Sequence, residues 1–397
     1  RNYLSDHFFD HISTNYVLSI EIMFLFAYNE SELTKAVAEM LGFSIFLGET
    51  LTEDKKRYIL AMKQAGFTRI FTSLHIPEED PQKVINTLQQ LGLFTQKLHI
   101  DLMADISSDG LQRLSIDLNQ AGACENLKQL GITGIRMDYG IDNQTIAAVS
   151  QQMKVGLNAS TLSEEDVEQL VSFQADFTKM ELWHNYYPRP ETGLSSEYLQ
   201  TVNHKWKALG SKIVAFVAGD ENLRGPLYMG LPTLEKHRHQ HPLAAALDLF
   251  YNYGCDIVHI GDGGLSEKVK EQFNVYFKQK KMLLEVDLLI DSYRALVLGE
   301  HTNRIDEAQE VIRSQESRRN NHQTIEAENN QMRDQGSVTI DNKNYQRYMG
   351  EMQITKRELP ADKKVNVVAK IIKKDRELVH YIGSGCRFEL KEGRKRY

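Results

Sequence analysis

The chain has 397 residues, 41% of them hydrophobic and 25% charged, and a formal net charge of -7 at pH 7. This length predicts two domains or one barrel with an appendage, and the negative balance argues against a nucleic-acid binder, which normally carries a basic face. The 3 cysteines are far apart and show no metal-type spacing, so we expect free thiols in a reducing compartment: Cys124, Cys255 and Cys386.

The N-terminal region is unusual. Residues 17–28 are mostly apolar, but the run is shorter than the roughly 20 residues that span a bilayer. It also lacks the basic flank and the small-residue cleavage site of a signal peptide. The first clear strand pattern begins directly after Met40. We therefore expect residues 1–39 to be an extension ahead of a natural start at Met40, in a cytoplasmic protein with no membrane partner.

From residue 41 onward, a short apolar run, a polar strand end and an amphipathic helix follow one another repeatedly. The predicted strands are 42–48, 69–75, 98–105, 133–138, 154–158, 178–184, 212–218 and 256–261. The predicted helices include 52–65, 81–91, 162–175, 194–209, 241–253 and 266–278. About eight such units are the count of a TIM (β/α)8 barrel, and a doubly wound open sheet is the alternative.

Helix ends are marked by capping residues and glycines. Thr52 and Thr161 are predicted N-caps, and Glu164 would complete a capping box for the second. Four glycines are predicted to end helices, where a positive φ is often needed: Gly66, Gly92, Gly131 and Gly210.

The ends of the predicted strands are polar. In a barrel they meet at one mouth, where the active sites of such folds lie. They carry Glu49, His75, Asp105, Asp138, Asn158, His184 with Asn185, Asp220 and Asp262. A single acidic strand end is more often a helix cap, but a whole series of polar ends indicates a binding site.

The segment after the sixth strand combines rings with amide, imidazole and guanidinium groups, which suit a sugar or a sugar phosphate. Two prolines, Pro188 and Pro190, stiffen it. Arginines near the mouth suit a phosphate or carboxylate, and they are Arg136, Arg189, Arg224 and Arg238. The predicted substrate-binding residues are His184, Asn185, Tyr187, Arg189, Asn158, Arg224 and, from the second domain, Arg318.

Two further motifs are ambiguous. Gly261-Asp-Gly-Gly-Leu-Ser266 follows a strand and is either a phosphate-type loop or a tight turn with a Ser266 cap. His237-Arg-His-Gln-His241 precedes Pro242, which begins the next helix, so we interpret it as a solvated loop and not as a metal site. No cofactor and no metal are predicted.

The composition changes after residue 281, where strand-like pieces follow one another without long helices. They are 282–289, 293–299, 335–340, 344–355, 364–373, 378–382 and 387–391. This pattern predicts a small all-β barrel or sandwich over residues 283–397, after a barrel domain over residues 40–282. We expect some of its arginines to reach the barrel mouth and bind an anion: Arg304, Arg313, Arg318 and Arg319. A structural or dimer-forming domain, and hence a homodimer, is an equally good interpretation.

Several segments resemble the bacterial 6-phospho-N-acetylmuramidase family. In the barrel they are Gly-Phe-Ser-Ile-Phe-Leu-Gly-Glu (42–49), Gly-Ile-Arg-Met-Asp-Tyr-Gly (134–140), Trp-His-Asn-Tyr-Tyr-Pro-Arg-Pro-Glu-Thr-Gly-Leu-Ser (183–195), Arg-Gly-Pro-Leu-Tyr-Met-Gly-Leu-Pro-Thr-Leu-Glu (224–235) and Ile-Gly-Asp (260–262). In the second domain they are His-Thr-Asn-Arg (301–304), Ile-Arg-Ser-Gln-Glu-Ser-Arg (312–318) and Tyr-Met-Gly-Glu-Met-Gln-Ile (348–354).

This resemblance implies a TIM barrel followed by a cyclophilin-like β domain. It also implies cytoplasmic hydrolysis of 6-phospho-N-acetylmuramyl-N-acetylglucosamine, a phosphorylated amino-sugar disaccharide, to 6-phospho-MurNAc and GlcNAc during peptidoglycan recycling. A phospho-sugar isomerase or aldolase on the same barrel, or a non-catalytic sugar-binding protein, are the alternatives.

A glycosidase needs one protonated carboxyl and one ionised carboxyl. Asp138 ends the fourth strand between Met137 and Tyr139, a setting expected to raise its pKa, so we predict that it is the general acid. Glu49 is its predicted partner, and Asp262 is a substitute for either. Three other carboxylates at the strands are weaker candidates. Glu181 lies inside its strand, and two could be helix caps: Asp105 and Asp220.

Overall fold

The computed structural model describes residues 40–48, 50–74, 81–113, 116–137 and 139–393. The predicted extension and three of the polar strand ends lie outside the described residues: residues 1–39, Glu49, His75 and Asp138. The chain divides into two compact units, one ending at Ser266 and the other beginning at Glu267.

The first unit is a closed barrel of eight parallel strands, in the order of the sequence. The strands are β1 Leu41–Ser44, β2 Arg69–Ser73, β3 Asp101–Ile106, β4 Gly134–Met137, β5 Lys154–Asn158, β6 Met180–Trp183, β7 Lys212–Val217 and β8 Ile257–Ile260. Strand β1 pairs with β8, with Leu41 opposite Val258. This closure confirms the predicted TIM barrel and excludes the open sheet.

Helices follow the strands within this unit. They are α1 Glu53–Gln64, α2 Pro81–Lys97, α3 Ser108–Arg113, α4 Ala123–Gln129, α5 Asn143–Ser150, α6 Glu164–Ser172, α7 Ser196–Lys207 and α8 Pro242–Tyr253. No described helix is both long enough and apolar enough to cross a membrane.

One predicted cap is confirmed and the other is wrong. Thr52 Oγ1 accepts a hydrogen bond from the Lys55 backbone N–H at 3.3 Å. Thr161 does not cap α6, because its backbone N–H and that of the next residue donate to the carbonyl of Asn158 and close a turn. The N-cap is Ser163, two residues later, the helix begins at Glu164, and Asp166 completes the capping box.

Three of the four predicted helix-ending glycines are confirmed, with φ of 104°, 85° and 72° at Gly66, Gly131 and Gly210. Gly92 is different, because it lies inside α2. A Cβ built at Gly92 would lie 1.8 Å from the Leu130 carbonyl oxygen. The missing side chain therefore permits close packing of α2 against the turn after α4.

The barrel interior is filled by large side chains around one buried ion pair. Phe71, Trp183 and Phe216 form its aromatic core. Arg69, at the start of β2, contacts Glu181 of β6 at 2.6 Å, and both are almost fully buried. Since active-site residues of such barrels lie at the opposite, carboxyl ends of the strands, this pair belongs to the core and Glu181 is not at the mouth.

The second unit is one mixed sheet with strand order β10-β15-β9-β14-β12-β13-β11. Its strands are β9 Lys281–Leu288, β10 Gly299–Thr302, β11 Val311–Arg313, β12 Ser337–Asp341, β13 Met352–Thr355, β14 Val365–Ile371 and β15 Arg387–Glu392. Only β9 and β15 pair in parallel, and the other pairs are antiparallel. The helix α9 Glu267–Gln279 packs against β9, where Gln272 Nε2 donates to the Leu283 carbonyl at 3.0 Å.

Several strand predictions in this unit are wrong. The run 293–299 is a short helix, α10 Arg294–Val297, and 378–382 lies mostly in the 3-10 helix Lys373–Tyr381. The run 344–355 begins as the 3-10 helix Lys343–Tyr348 and becomes a strand only at Met352. Short apolar runs do not distinguish a strand from a buried helical turn, and here tertiary packing decides. A last short helix is α11 Ser317–Asn320.

Candidate active site

The candidate site lies at the carboxyl ends of the barrel strands. Its central element is the segment 184–194, which follows β6 and which we call the β6 loop. The loop is fastened to the barrel by backbone contacts: Tyr187 N–H donates to the Pro232 carbonyl, and Leu194 N–H donates to the Thr233 carbonyl, both at 2.9 Å. It therefore lies against the segment after β7 along much of its length.

A carboxylate and a guanidinium group from that second segment clamp the β6 loop. Glu235 accepts from the backbone N–H of Glu191 at 2.9 Å and of Gly193 at 2.8 Å, and from Arg238 Nε at 2.6 Å. Arg238 in turn donates to the Tyr187 carbonyl at 2.9 Å. We call Glu235 and Arg238 the loop clamp.

The clamp is electrostatically strong. The hydrogen bond from Arg238, followed by those from two backbone N–H groups, lowers the pKa of Glu235 to about 2. The side chain of Arg238 is only 3% exposed, so this arginine holds the loop and is not available to a substrate anion, contrary to the prediction. Sequence reasoning missed Glu235, although it ends one of the family-like segments.

A second group of polar contacts connects strands β3 and β4 to the β6 loop. Arg136 of β4 donates to Asp105 of β3 at 2.6 Å, and both side chains are largely buried. The same guanidinium group donates to Asn185 Oδ1 in the β6 loop. Asp105 is therefore an ion-pair partner and does not cap a helix. Arg136, predicted to bind an anion of the substrate, instead orients Asn185.

Two tyrosines of the β6 loop, Tyr186 and Tyr187, lie near these polar contacts. Tyr186 packs edge-on against Phe216, with ring centroids 5.2 Å apart, and its hydroxyl accepts from Arg224 at 2.8 Å. The Arg224 guanidinium group also lies 3.9 Å from the ring centroid of Phe46. Burial raises the pKa of Tyr186 and also that of Tyr187, so both phenols stay neutral at physiological pH.

Arg189 differs from the other arginines of the β6 loop region. Its side chain is exposed, and among the described residues it makes no hydrogen bond or ion pair. Its backbone carbonyl accepts from Arg238 at 3.3 Å. The loop clamp thus fixes the main chain of Arg189 and leaves its guanidinium group available to a ligand.

His184 and Asn158 are held by neighbouring protein groups. His184 is fully buried, and its Nε2 lies 2.7 Å from Asn203 Oδ1 on α7. Burial lowers the pKa of His184 to about 4, so the ring is neutral. Asn158 Oδ1 accepts from the Ser160 backbone N–H at 3.0 Å. Their predicted substrate contacts stay predictions.

Asp262 is fully buried and its oxygens are occupied by the backbone. They accept from the N–H groups of Gly219 and Leu231 at 2.9 Å and of Arg224 at 3.0 Å. Burial raises the pKa of Asp262, although these donors act in the opposite direction. The arrangement anchors three points of the segment after β7 to the end of β8.

The glycine-rich segment after β8 is tightly packed. A Cβ built at Gly261 would lie 2.3 Å from the Leu231 carbonyl oxygen, so only glycine fits there. Ser266 N–H and Oγ donate to Asp220 at 2.8 and 2.6 Å. These contacts favour the tight-turn interpretation over the phosphate-loop interpretation, and they assign Asp220 to holding Ser266.

The histidine-rich run is not the solvated loop that we predicted. His237 is fully buried, with Nε2 2.7 Å from Asp248 of α8. His241 is buried as well and caps α8, since its Nδ1 accepts from the Leu243 N–H at 3.1 Å. Among the described residues, no three His, Cys, Asp or Glu side chains are grouped to hold a metal ion.

The comparisons with known proteins decide the family. The N-terminal model of 6-phospho-N-acetylmuramidase matches residues 41–275, and its C-terminal model matches residues 282–391. The chain belongs to the 6-phospho-N-acetylmuramidase family. Together the two matches span both units of the structure.

Two solved structures are similar over nearly their whole length. A conserved Enterococcus faecalis protein of unknown function is 44% identical, with a TM-score of 0.83, covering 89% of this chain and 97% of its own. An uncharacterized B. cereus protein is 25% identical, with a TM-score of 0.68, covering 89% of this chain and 99% of its own. No curated protein matches the chain.

Proposed function

We propose that this protein is a glycoside hydrolase that cleaves 6-phospho-N-acetylmuramyl-N-acetylglucosamine to 6-phospho-MurNAc and GlcNAc. The observation that carries the proposal is the match of both family models, which together extend from residue 41 to residue 391. In this proposal the enzyme works in the bacterial cytoplasm on fragments of recycled cell wall, without a cofactor, and its second unit is a cyclophilin-like domain.

The geometry of the mouth supports a phosphorylated sugar as substrate. Tyr186 and Tyr187 supply partly buried rings, which suit the apolar face of a sugar. Asn185 supplies an amide held in place by Arg136. The guanidinium group of Arg189, which has no partner in the part of the chain that the structure describes, suits an anionic group on the substrate. The loop clamp presents these residues without a large loss of entropy on binding.

The proposed catalytic pair is Asp138 and Glu49, both outside the described residues. In the sequence Asp138 stands between Met137, which ends β4 and is 2% exposed, and Tyr139, which is 55% exposed. Asp262 is the weaker candidate, because its two oxygens already accept three backbone hydrogen bonds.

The proposal predicts strong discrimination by phosphate. We expect hydrolysis of 6-phospho-MurNAc-GlcNAc with a kcat/KM at least about 100-fold above that for unphosphorylated MurNAc-GlcNAc, since losing an anion that arginines bind costs about 3 kcal/mol or more. Release of GlcNAc from each disaccharide, followed by chromatography, measures the ratio. Equal turnover of both substrates, or of neither, would contradict the proposal.

A further inference from the structure

Four arginines gather on one side of the second unit. Arg304 and Arg313 both contact Asp306, with N–O distances of 2.8 and 3.3 Å. Arg313 and Arg318 both contact Glu351, at 2.9 and 3.7 Å. The shared carboxylates therefore place three guanidinium groups side by side, although the residues come from separate segments of the chain.

A tyrosine extends this row to a fourth arginine. The guanidinium carbons of Arg318 and Arg347 lie 5.7 and 4.9 Å from the ring centroid of Tyr348, and Arg347 donates to the tyrosine hydroxyl at 2.9 Å. We call Arg304, Arg313, Arg318 and Arg347, with their three partners, the arginine array.

The carboxylates orient the array without neutralising it. Glu351 is buried and accepts hydrogen bonds from two N–H groups of Arg313. These bonds fix Arg313 in one orientation. Three guanidinium groups share two carboxylates, and the Arg347 guanidinium group contacts only Tyr348 among the members of the array. Four positive charges against two negative charges leave two uncompensated among these six residues. Arg304 and Arg318 are 34% and 40% exposed, and the NH1 group of Arg304 and the NH2 group of Arg318 have no hydrogen-bond partner among the described residues.

The segment that carries Arg347 is held in an unfavourable conformation. Gln346 has φ 55° and ψ -112°, a combination that non-glycine residues rarely adopt. Strained residues of this kind persist where the surrounding structure fixes them, and they cluster at ligand sites. Here the strained residue directly precedes the arginine and the tyrosine that complete the array.

We propose that the arginine array is a binding site for a phosphate monoester, formed by residues of the second unit. A phosphate monoester carries a charge of about −1.5 to −2 at pH 7 and three terminal acceptor oxygens. This matches two uncompensated charges and several unused N–H groups better than a carboxylate does. Guanidinium forks bind such oxygens in pairs.

Binding at the array can be tested without measuring turnover. The identity of the phosphate rests on the proposed function, because the proposed disaccharide substrate carries a 6-phosphate. Titration calorimetry of the full chain with glucosamine 6-phosphate measures the affinity. We expect Arg318→Ala and Arg347→Ala each to weaken it at least about tenfold, as loss of a charge-assisted hydrogen bond predicts. Arg318→Lys keeps the charge but loses the fork, and should lie between Arg318→Ala and the wild type.

The matched control is Arg294→Ala. Arg294 lies on α10, is 44% exposed and pairs with Asp291 and Glu392, which are not members of the array. Its loss removes the same charge and should change the affinity less than about twofold. Each variant's unfolding temperature is measured alongside. Equal losses in Arg318→Ala and Arg294→Ala, or unchanged affinity in Arg318→Ala and Arg347→Ala, would overturn the proposal.

Two further ligands show whether the array binds a phosphate or a carboxylate. Unphosphorylated glucosamine should bind at least about tenfold more weakly than glucosamine 6-phosphate. If N-acetylmuramic acid binds through the array more tightly than glucosamine 6-phosphate, the bound group is a carboxylate and the proposal is wrong. A chain that binds glucosamine 6-phosphate through the array but hydrolyses no disaccharide contradicts only the proposed function. If the chain hydrolyses the disaccharide but its affinity for glucosamine 6-phosphate is unchanged in Arg318→Ala and Arg347→Ala, only the proposed role of the array is contradicted.

Discussion

Asp138→Asn should lower kcat on the phosphorylated disaccharide by about 1,000-fold or more while leaving the fold intact. A glycosidase that loses its general acid must expel the leaving oxygen without a proton. Glu49→Gln should cost at least as much, because the amide can act neither as a nucleophile nor as a base. Steady-state kinetics measure both effects, and circular dichroism shows whether each variant is folded.

A substrate with a better leaving group separates the two roles. In a nitrophenyl glycoside of 6-phospho-N-acetylmuramic acid, the leaving nitrophenolate needs little protonation. The Asp138→Asn variant should therefore recover most of the wild-type activity on this glycoside. Glu49→Gln should stay inactive on both substrates. If the two variants respond alike, the assignment of acid and partner is wrong.

The matched control is another carboxylate at a strand end. Asp220 holds Ser266 through two hydrogen bonds and has no proposed chemical role, so Asp220→Asn should change kcat less than about tenfold. A folded Asp138→Asn variant with nearly normal kcat would contradict the proposed acid, and Asp262→Asn would then be the next variant to measure.

The sequence predicted the barrel because its information there is local. Each strand is a short apolar run bounded by polar residues. This pattern can be recognised without knowing which strands and helices pack against it. The second unit was harder, since runs such as 293–299 and 378–382 are apolar and short. Such runs form either a strand or a helical turn, depending on neighbours that are distant in the sequence.

The composition of the site could be predicted, but not the role of each residue. Arg136, Arg224 and Arg238 all lie near the mouth as expected. Arg238 nevertheless clamps the loop and Arg136 pairs with Asp105. Asp105 lies 31 positions from Arg136 in the sequence, and the Tyr187 carbonyl that accepts from Arg238 lies 51 positions away. Residue type and spacing alone therefore cannot distinguish an arginine that binds substrate from one that orients the site.

The second large effect is expected at the loop clamp. Arg238→Ala removes the fork from Glu235 and one donor from each of four backbone carbonyls, those of Tyr187, Arg189, Met229 and Gly230. Breaking a largely buried pair on one side costs about 3 kcal/mol of folding free energy or more. The β6 loop should also move, and a displacement of about 1 Å can reduce kcat/KM about 100-fold.

Two variants test whether the fork is the cause. Arg238→Lys keeps the positive charge but cannot make the paired contacts, so it should recover less than half of the lost stability. Arg57→Ala is the matched control, because Arg57 forms an exposed ion pair on α1, and surface pairs contribute about 1 kcal/mol or less. Urea unfolding and kcat/KM are measured for all three variants.

The clamp also predicts a pH dependence with a definite sign. The pKa of Glu235 is lowered to about 2 by Arg238 and the loop N–H groups, whereas an unfolded glutamate titrates near about 4.3. Its contribution to stability is therefore complete above that value and is lost as the pH falls toward 2. Glu235→Gln should flatten the stability profile in this window, with little change in slope near pH 7. If Arg238→Ala left stability, kcat/KM and this acid slope as in the wild type, the clamp would not position the loop.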